Sequence, residues 1–364
     1  MTISKLLHSS RFRFAAFFAV LTLFWACYPE PEISYSNPQQ SSVNQWLIEI
    51  RTGEAKVHLT IRQSRQRDDG GFGYSNNSFQ VSMDQFVGLT REQAMSIGSH
   101  VQFQLKRDAG TLNFDGWFKE GNGSGHFTFT PNASFVSELS RQGLGIANDE
   151  QLLSLAIGDV GLLFINELRS QGYDLATVDQ LIRMAHHGVR LEYVQGLKSM
   201  GYSVKSVDTL VRMKDHGVSL DFIREINGLG YKDLSPEELI RTKDHGVNEE
   251  YIQSFIAAGY TRSSLDDWIT MKDHGVNMSF VTALRELGYS RLEFEQLRMM
   301  KDHGVSPSFI QELKSIGYTN VPVEQLIRLK DHGVSATYIQ RLKERGYGDL
   351  TLDEYIRLKD RGTR

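Results

Sequence analysis

About two-thirds of this sequence is one motif that recurs every 29 residues. A histidine followed by glycine and valine returns at that interval, and a glycine followed by tyrosine keeps the same period. The histidines and their glycines are His187, Gly188, His216, Gly217, His245, Gly246, His274, Gly275, His303, Gly304, His332 and Gly333. The glycines of the second series are Gly172, Gly201, Gly230, Gly259, Gly288, Gly317 and Gly346. Self-similarity this strict predicts a solenoid of stacked units.

The repeats extend further towards the N-terminus than the histidines do. The segment SFVSELSRQGL (134–144) matches SFIQELKSIGY (308–318), so the array is predicted to begin near Asn132 and to hold eight units up to residue 364. The first unit has Gly158-Asp159-Val160 in place of His-Gly-Val, and the last has Arg361-Gly362. Atypical end units are expected where a solenoid meets another domain or solvent.

Each unit predicts two short helices. The first begins at a serine or asparagine cap such as Ser219 or Asn248, and a glycine ends it, with the following tyrosine covering the last turn as in a Schellman cap. The second begins at a cap such as Ser206, and an acidic residue in its first turn complements the helix dipole. Lys-Asp-His then leads into a second glycine stop. One such pair cannot bury its own apolar faces, but stacked pairs can.

The recurring Lys-Asp-His has three interpretations. A histidine ladder could bind metal, but stacked helices lie about 8–10 Å apart, too far for two imidazoles to share a zinc ion at about 2.0–2.1 Å. Alternatively, Lys and His interact with the last carbonyls of the helix, and Asp pairs across repeats with a Lys or with Arg212, Arg241 or Arg328. A stripe that binds a partner is the third interpretation. We favour helix-end chemistry and therefore expect no metal and no cofactor.

A small antiparallel β domain is predicted at residues 44–131, as a meander or sandwich. Apolar residues alternate with polar ones there, as in half-buried strands. These residues are Trp46, Ile48, Ile50, Val57, Leu59, Ile61, Val101, Phe103, Leu105, Leu112, Phe114, Phe127 and Phe129. Residues 65–78 are predicted to be a polar loop, residues 121–125 a turn, and Thr90 the start of one short helix with a capping box. The glycines lack the strand-then-helix context and the lysine of a phosphate-binding loop.

The N-terminus has the pattern of an export signal. Positive residues precede a 15-residue uncharged run at 14–28, which is shorter than the roughly 20 apolar residues of a spanning helix. The run includes Cys27 directly after Ala26, which resembles a bacterial lipoprotein signal in which the cysteine is lipidated and becomes the first mature residue. An uncleaved anchor, ordinary cleavage and a buried apolar segment remain alternatives. Residues 29–43 are predicted to be an extended tether, and residues 132–364 the solenoid.

Composition and missing motifs exclude several function classes. Lys and Arg number 40 against 44 Asp and Glu, so the net charge of −4 gives no electrostatic support for a nucleic-acid partner. The single cysteine excludes an intramolecular disulfide framework, a cysteine-rich zinc site and an iron–sulfur cluster. His-Glu-x-x-His, Gly-x-Ser-x-Gly and Walker-type sequences do not occur. The sequence therefore predicts a protein that is not an enzyme.

One resemblance concerns the repeats and the segment before them. The units HGVSPSFIQELKSIGY (303–318) and LIRLKDHGVSATYIQRLKERGY (326–347), together with GWFKEGNGSGHFTFTPNASF (116–135), resemble helical-repeat regions of uncharacterised bacterial envelope proteins. Similar regions follow the membrane metallopeptidase domain of beta-lactam-sensor-like proteins, but this chain has no residues that match the peptidase's zinc motif. The likeness extends from about Trp46 to the C-terminus and implies an accessory or sensory role at the envelope.

The function expected from the sequence is a membrane-tethered scaffold on the extracytoplasmic side of a bacterial membrane. Its partners would be proteins of unknown identity, because solenoids offer extended surfaces rather than deep pockets. The alternative is a sensory or regulatory protein whose β domain binds a small molecule or an envelope polymer. A hydrolase acting at the β domain is a weaker third hypothesis.

Overall fold

The computed structural model of the chain describes residues 44–50, 56–66, 72–175, 177–348 and 350–362. Within these ranges the protein is α+β, with a seven-stranded antiparallel sheet followed by sixteen repeat helices. The predicted fold class is therefore confirmed. The predicted signal or anchor at 1–28, its Cys27 and the tether at 29–43 lie outside the described residues.

The sheet has its first strand near the middle. Its strand order is β3-β2-β1-β7-β6-β5-β4, so β1 joins two meanders into one continuous sheet. The strands are β1 Gln45–Glu49, β2 Lys56–Gln66, β3 Phe72–Ser82, β4 Phe86–Val87, β5 Ile97–Arg107, β6 Gly110–Lys119 and β7 Asn122–Pro131. The short helices are a 3₁₀ turn at Met83–Gln85 and α1 at Arg91–Met95. The sheet is strongly curled. The curl brings the rings of Trp46 on β1 and Phe103 on β5 to 5.2 Å from each other across the intervening strands.

Two glycines of the sheet make room for the fully buried indole of Trp46. A Cβ on Gly116 would lie 2.7 Å from the indole, and one on Gly125 would lie 2.8 Å from its Nε1. The Trp46 Nε1 atom donates a hydrogen bond to the Asp115 carbonyl oxygen at 3.1 Å. The predicted turn at 121–125 extends too far, because the chain turns at Glu120 and Gly121 and β7 already begins at Asn122. Glycine is required in this part of β7 by close packing inside the sheet.

The predicted loop at 65–78 is also wrong over the residues that the structure describes. Strand β2 continues to Gln66, and β3 begins at Phe72. Strand β3 lies at an edge of the sheet, and its polar residues pair with β2, as where Thr60 Oγ1 lies 2.8 Å from Ser78 Oγ. The predicted capping box is confirmed, since Gln93 N donates to Thr90 Oγ1 at 3.2 Å and Thr90 N donates to Gln93 Oε1 at 2.9 Å.

The repeat helices form two layers. Within each layer, helices of consecutive repeats pack side by side, as α4 does on α6 and α5 on α7. The first helices of the repeats are α2 Ala133–Arg141, α4 Leu162–Ser170, α6 Leu191–Ser199, α8 Leu220–Gly228, α10 Glu249–Ala257, α12 Met278–Glu286, α14 Pro307–Ser315 and α16 Ala336–Glu344. The second helices are α3 Asp149–Ile157, α5 Val178–His186, α7 Val207–Asp215, α9 Pro236–Asp244, α11 Leu265–Asp273, α13 Phe294–Asp302, α15 Val323–Asp331 and α17 Leu352–Asp360.

Helix ends follow the predicted chemistry. Ser219 accepts a hydrogen bond from Phe222 N at 3.1 Å at the start of α8. At the end of α4, Gly172 has φ of +81°, and Tyr173 N donates to Leu168 O at 3.0 Å. This is the bond pattern of a Schellman motif, which needs a residue in the left-handed conformation after the helix. Local sequence therefore sets where each helix begins and ends.

The first two repeats are bound to the tip of the β5–β6 hairpin. Arg107 Nε lies 3.1 Å from Asp159 Oδ1, and Asp159 holds the left-handed position, with φ of +55°, that glycine takes in later repeats. The Asp108 carboxylate accepts a hydrogen bond from Leu162 N at 2.8 Å and so caps α4 from outside the helix. The departure of the first unit from the repeat consensus thus serves the contact with the sheet.

No single helix in the described ranges is long and apolar enough to cross a membrane. The pair α3 and α4 passes a test of length and composition together, but the two helices are bent by 80° at the break between them.

Candidate functional site

The histidines of the repeats bind the aspartates of the following repeats. His216 Nδ1 lies 2.8 Å from Asp244 Oδ1, and His245 Nδ1 lies 2.7 Å from Asp273 Oδ1. We call the whole series the His–Asp ladder. Its pairs among the described residues are His187–Asp215, His216–Asp244, His245–Asp273, His274–Asp302, His303–Asp331 and His332–Asp360. Each pair joins one repeat to the next.

The predicted partners of these aspartates were wrong. The arginines instead bind the acidic residue in the first turn of the next second helix. These pairs are Arg183–Asp208, Arg212–Glu237, Arg241–Asp266 and Arg328–Asp353. Side chains on a helix lean towards its N-terminus, so an arginine in mid-helix reaches the first turn of its neighbour rather than the last. The histidine lies just past its helix and is therefore the group that meets the neighbouring aspartate.

The lysine of the motif packs on the first helix of its own repeat and lies beside the glycine that ends the preceding one. Lys272 Nζ lies 4.4 Å from the centre of the Tyr251 ring, and its stem passes 3.5 Å from the site of a Cβ on Gly246. The equivalent contacts are Lys214–Tyr193, Lys243–Phe222, Lys301–Phe280, Lys330–Phe309 and Lys359–Tyr338. Lysine thus joins the two helices of one repeat, whereas aspartate and histidine link consecutive repeats. Across the described part of the chain, no group of three or more His, Cys, Asp or Glu is placed to hold a metal ion.

One second helix departs from the consensus at a buried position. Arg298 of α13 occupies the place of Ile240, Ile269 and Ile327, which are 3–6% exposed in their own helices. Thr270 stands at the position that is Arg241 in the preceding repeat, the arginine that binds the next acidic residue, and the following repeat has Met299 there. A cleft of about 400 Å³ lies between α11 and α13 at these substitutions. Sequence analysis missed this site, although aligning the repeats position by position would have singled out Arg298.

The cleft between α11 and α13 is acidic. Its described lining contains the carboxylates of Asp267, Glu293 and Glu295 against one guanidinium, that of Arg298. Arg298 Nε donates to Glu295 at 2.9 Å, and this hydrogen bond holds the pKa of Glu295 below its usual value. Hydrogen bonds from Ser263 and Ser264 likewise lower the pKa of Asp267. Because both shifts are downward, these carboxylates are ionised at neutral pH.

Aromatic rings form the apolar part of this cleft. Phe294, which stands where most other repeats have valine, leucine or proline, stacks on Tyr260 with ring centres 5.5 Å apart. It also meets Trp268 edge-on at 4.9 Å. Acidic groups beside an aromatic surface suit a cation with an apolar stem.

A second cleft, of about 490 Å³, lies on the sheet at β5, β6 and β7. Its polar lining consists of side chains that alternate along the strands with the buried Phe103, Phe114 and Phe127. They are Gln102, Gln104, Asn113, Asp115, His126 and Thr128. The strands were predicted from their buried residues, and the same alternation places the polar residues together on the opposite face.

Comparisons with known proteins identify no relative of this chain. No protein-family model matches the chain, and a search of curated proteins finds no similar sequence.

Proposed function

We propose that the protein is a non-enzymatic interaction scaffold whose solenoid binds a partner protein at the cleft between α11 and α13. The observation that supports this is the substitution of Arg298 for a buried isoleucine, together with Thr270 in place of an arginine. Arg298 replaces an aliphatic residue that every other second helix has, Thr270 lacks the contact that Arg241 makes one repeat earlier, and both residues line the same cleft. Groups that break a regular array at one point are expected where the array has a ligand.

The chemistry of this cleft favours a basic segment of the partner. Carboxylates outnumber cations in its lining, so a lysine or arginine would be attracted to Glu293 and Asp267. The aliphatic stem of that side chain would pack on Phe294. A partner with an acidic segment would instead be repelled.

The place proposed for the scaffold is the extracytoplasmic side of a bacterial membrane. The basic residues before the apolar run, the lone Cys27 after Ala26 and the likeness to envelope repeat regions support it. Lipidation of Cys27 or an uncleaved anchor would hold the chain at the membrane, with residues 29–43 as the tether.

The experiment compares the native chain with a variant that restores the repeat. In the double variant Thr270→Arg/Arg298→Ile, arginine is placed to bind Glu295 as Arg241 binds Asp266, and isoleucine fills its consensus position. Random peptides are displayed and selected on each full-length chain. We expect the native chain to enrich peptides with lysine or arginine, and the double variant to bind them about tenfold or more weakly, a loss of about 1.4 kcal/mol.

Two controls make the result interpretable. The double variant is expected to melt no lower than the native chain, because it restores consensus contacts. Glu250→Lys changes an exposed acid on α10 outside the cleft and is expected to leave peptide binding unchanged. Equal binding of the selected peptides by native and repeat-restored chains would contradict the proposal.

A second candidate function is sensing or regulation through a ligand of the β domain. The cleft on β5, β6 and β7 is the observation that favours it, because its polar groups converge on one face of a rigid sheet.

A further inference from the structure

An exposed tryptophan continues the polar face of the sheet beyond its cleft. The side chain of Trp117 on β6 is 59% exposed, and its ring lies 5.0 Å from that of His100 on β5. Trp117, Asp115 and Asn113 alternate along β6 and so point to the same side, about 7 Å apart at each step. The indole therefore lies in line with the polar groups of the cleft.

The polar groups of this face are held in place by one another. Gln102 Nε2 donates to Asp115 Oδ2 at 2.6 Å, and His100 Nε2 lies 3.3 Å from Asp115 Oδ1. Gln104 Nε2 donates to Asn113 Oδ1 at 2.8 Å. Each amide has two N–H donors and an oxygen with two lone pairs, so hydrogen-bonding capacity remains for a ligand.

The backbone beneath these groups is equally fixed. The Asp115 carbonyl accepts the Trp46 indole N–H, and the strands on either side of β6 pair with it along its length. A site built on strands with locked side chains loses little conformational entropy when it binds.

We propose that this face binds a neutral glycan, through Gln102, Gln104, Asn113, Asp115, Trp117 and His126. The inference rests on the second candidate function, a ligand of the β domain, and names the class of that ligand. A sugar ring offers hydroxyls that donate and accept together, which amide and carboxylate side chains match. Its C–H face is apolar and packs on an indole ring.

The composition of the cleft argues against other ligands. Asp115 is the one carboxylate among the described residues of the cleft lining, and lysine and arginine do not occur in that lining. Phosphate and nucleic-acid ligands would need such cations. Hydrolysis of a glycoside by the usual mechanisms needs two carboxyl groups across the bond, so the lining of the cleft supports binding rather than cleavage.

The shape of the site favours a polymer over an enclosed small molecule. The cleft is shallow and open, and Trp117 stands outside it along the same strand. A chain of sugars can lie along β6 with one ring on the indole and the next rings over Asp115 and Asn113.

The test is calorimetric titration of the full-length chain with neutral oligomers of β-1,4-linked glucose and of β-1,4-linked N-acetylglucosamine. We expect at least one of the two to bind. We expect Trp117→Ala and Gln102→Ala each to weaken that binding about tenfold or more. Ile146→Ala removes an apolar side chain of the solenoid that is 80% exposed and is expected to leave the affinity unchanged.

Three outcomes would overturn the inference. They are no binding of either oligomer, binding that both sheet variants leave intact, and binding only of a sulfated dextran used as the charged comparison. A circular-dichroism melting curve for each variant shows that it is folded. Because the peptide selection reports on the cleft between α11 and α13, failure of glycan binding leaves the scaffold proposal standing, and failure of the peptide selection leaves this one standing.

Discussion

Gly246 and Gly228 both lie at helix ends, but the backbone needs glycine at only one of them. Gly246 has φ of +68°, whereas Gly228 is the last residue of α8 and a Cβ there would meet open space. We expect Gly246→Ala to cost about 1–2 kcal/mol, because an L-residue is strained in the left-handed region. We expect Gly228→Ala to raise the free energy of unfolding by about 0.5–1 kcal/mol, because alanine loses less conformational entropy than glycine on folding.

Urea unfolding of the two alanine variants measures these opposite effects with the same chemical change. The midpoint is expected to fall for Gly246→Ala and to rise for Gly228→Ala. Shifts of the same sign would show that the glycine after histidine is not selected for its conformation.

The His–Asp ladder makes a prediction about coupling between single residues. His245 and Asp273 are partly exposed, so a double-mutant cycle with asparagine at both positions is expected to give about 0.2–1 kcal/mol. The matched control pairs His245 with Asp244, which is its neighbour in sequence but binds His216. That cycle is expected to give a coupling near zero. Equal coupling in the two cycles would contradict the assigned pairs.

The His–Asp ladder is expected to form, and the protein to fold, without a bound metal ion. A structural metal adds its binding free energy to folding, so we expect neither zinc nor a chelator to move the melting midpoint of the native chain. A chelator that lowers the midpoint, with stoichiometric metal in dialysed protein, would show that the ladder binds metal.

Sequence patterns identified the recurring histidines but did not predict which residues they bind. The missing information was the direction of the side chains, which places the arginines at the first turn of the next helix. A signal was nevertheless present in the first units. Gly158 replaces a histidine, and one repeat later His186 replaces the aspartate that would have bound it. Paired loss at positions 28 residues apart indicates a contact across repeats.

At the scale of elements, the sheet and the solenoid are joined by a helix cap. Asp108 lies in the β5–β6 turn and caps α4, whose own N-cap position is Gly161 and has no side chain to do so. We expect Asp108→Ala to destabilise the protein by about 1 kcal/mol, the usual cost of a lost N-cap. Asp84→Ala, an exposed site in the 3₁₀ turn, is expected to stay within about 0.5 kcal/mol. Thermal unfolding compares the two, and equal effects would contradict the capping role.

Elements whose ends have specific chemistry were predictable, and elements with neither specific ends nor an apolar face were not. The repeat helices begin at Ser, Thr or Asn in most cases and end at glycine, so their bounds follow from sequence. Strand β3 was missed because it is a polar edge strand held by its hydrogen bonds to β2. The cleft on the sheet was missed because its residues come from three strands that only the fold brings together, whereas Arg298 could have been found by aligning the repeats.

At the scale of the whole molecule, the proposed anchoring rests on Cys27. If the cysteine is lipidated, the native chain is expected in the membrane fraction, and Cys27→Ser is expected to release it or block its processing. Fractionation followed by mass spectrometry of the N-terminus measures both. An unmodified Met1 on protein in the cytoplasmic fraction would contradict anchoring and export together.

Each repeat contributes a histidine to one boundary and an aspartate to the other, and both recur at the same interval. Deleting or duplicating 29 residues anywhere among the regular units therefore leaves every remaining histidine opposite an aspartate. The length of the array can change by whole units without creating an unmatched junction. Gene duplication could thus vary the reach of such a protein in single steps, while the sheet and the helix cap stay as they are, and the cleft is kept wherever the units of α11 and α13 are retained.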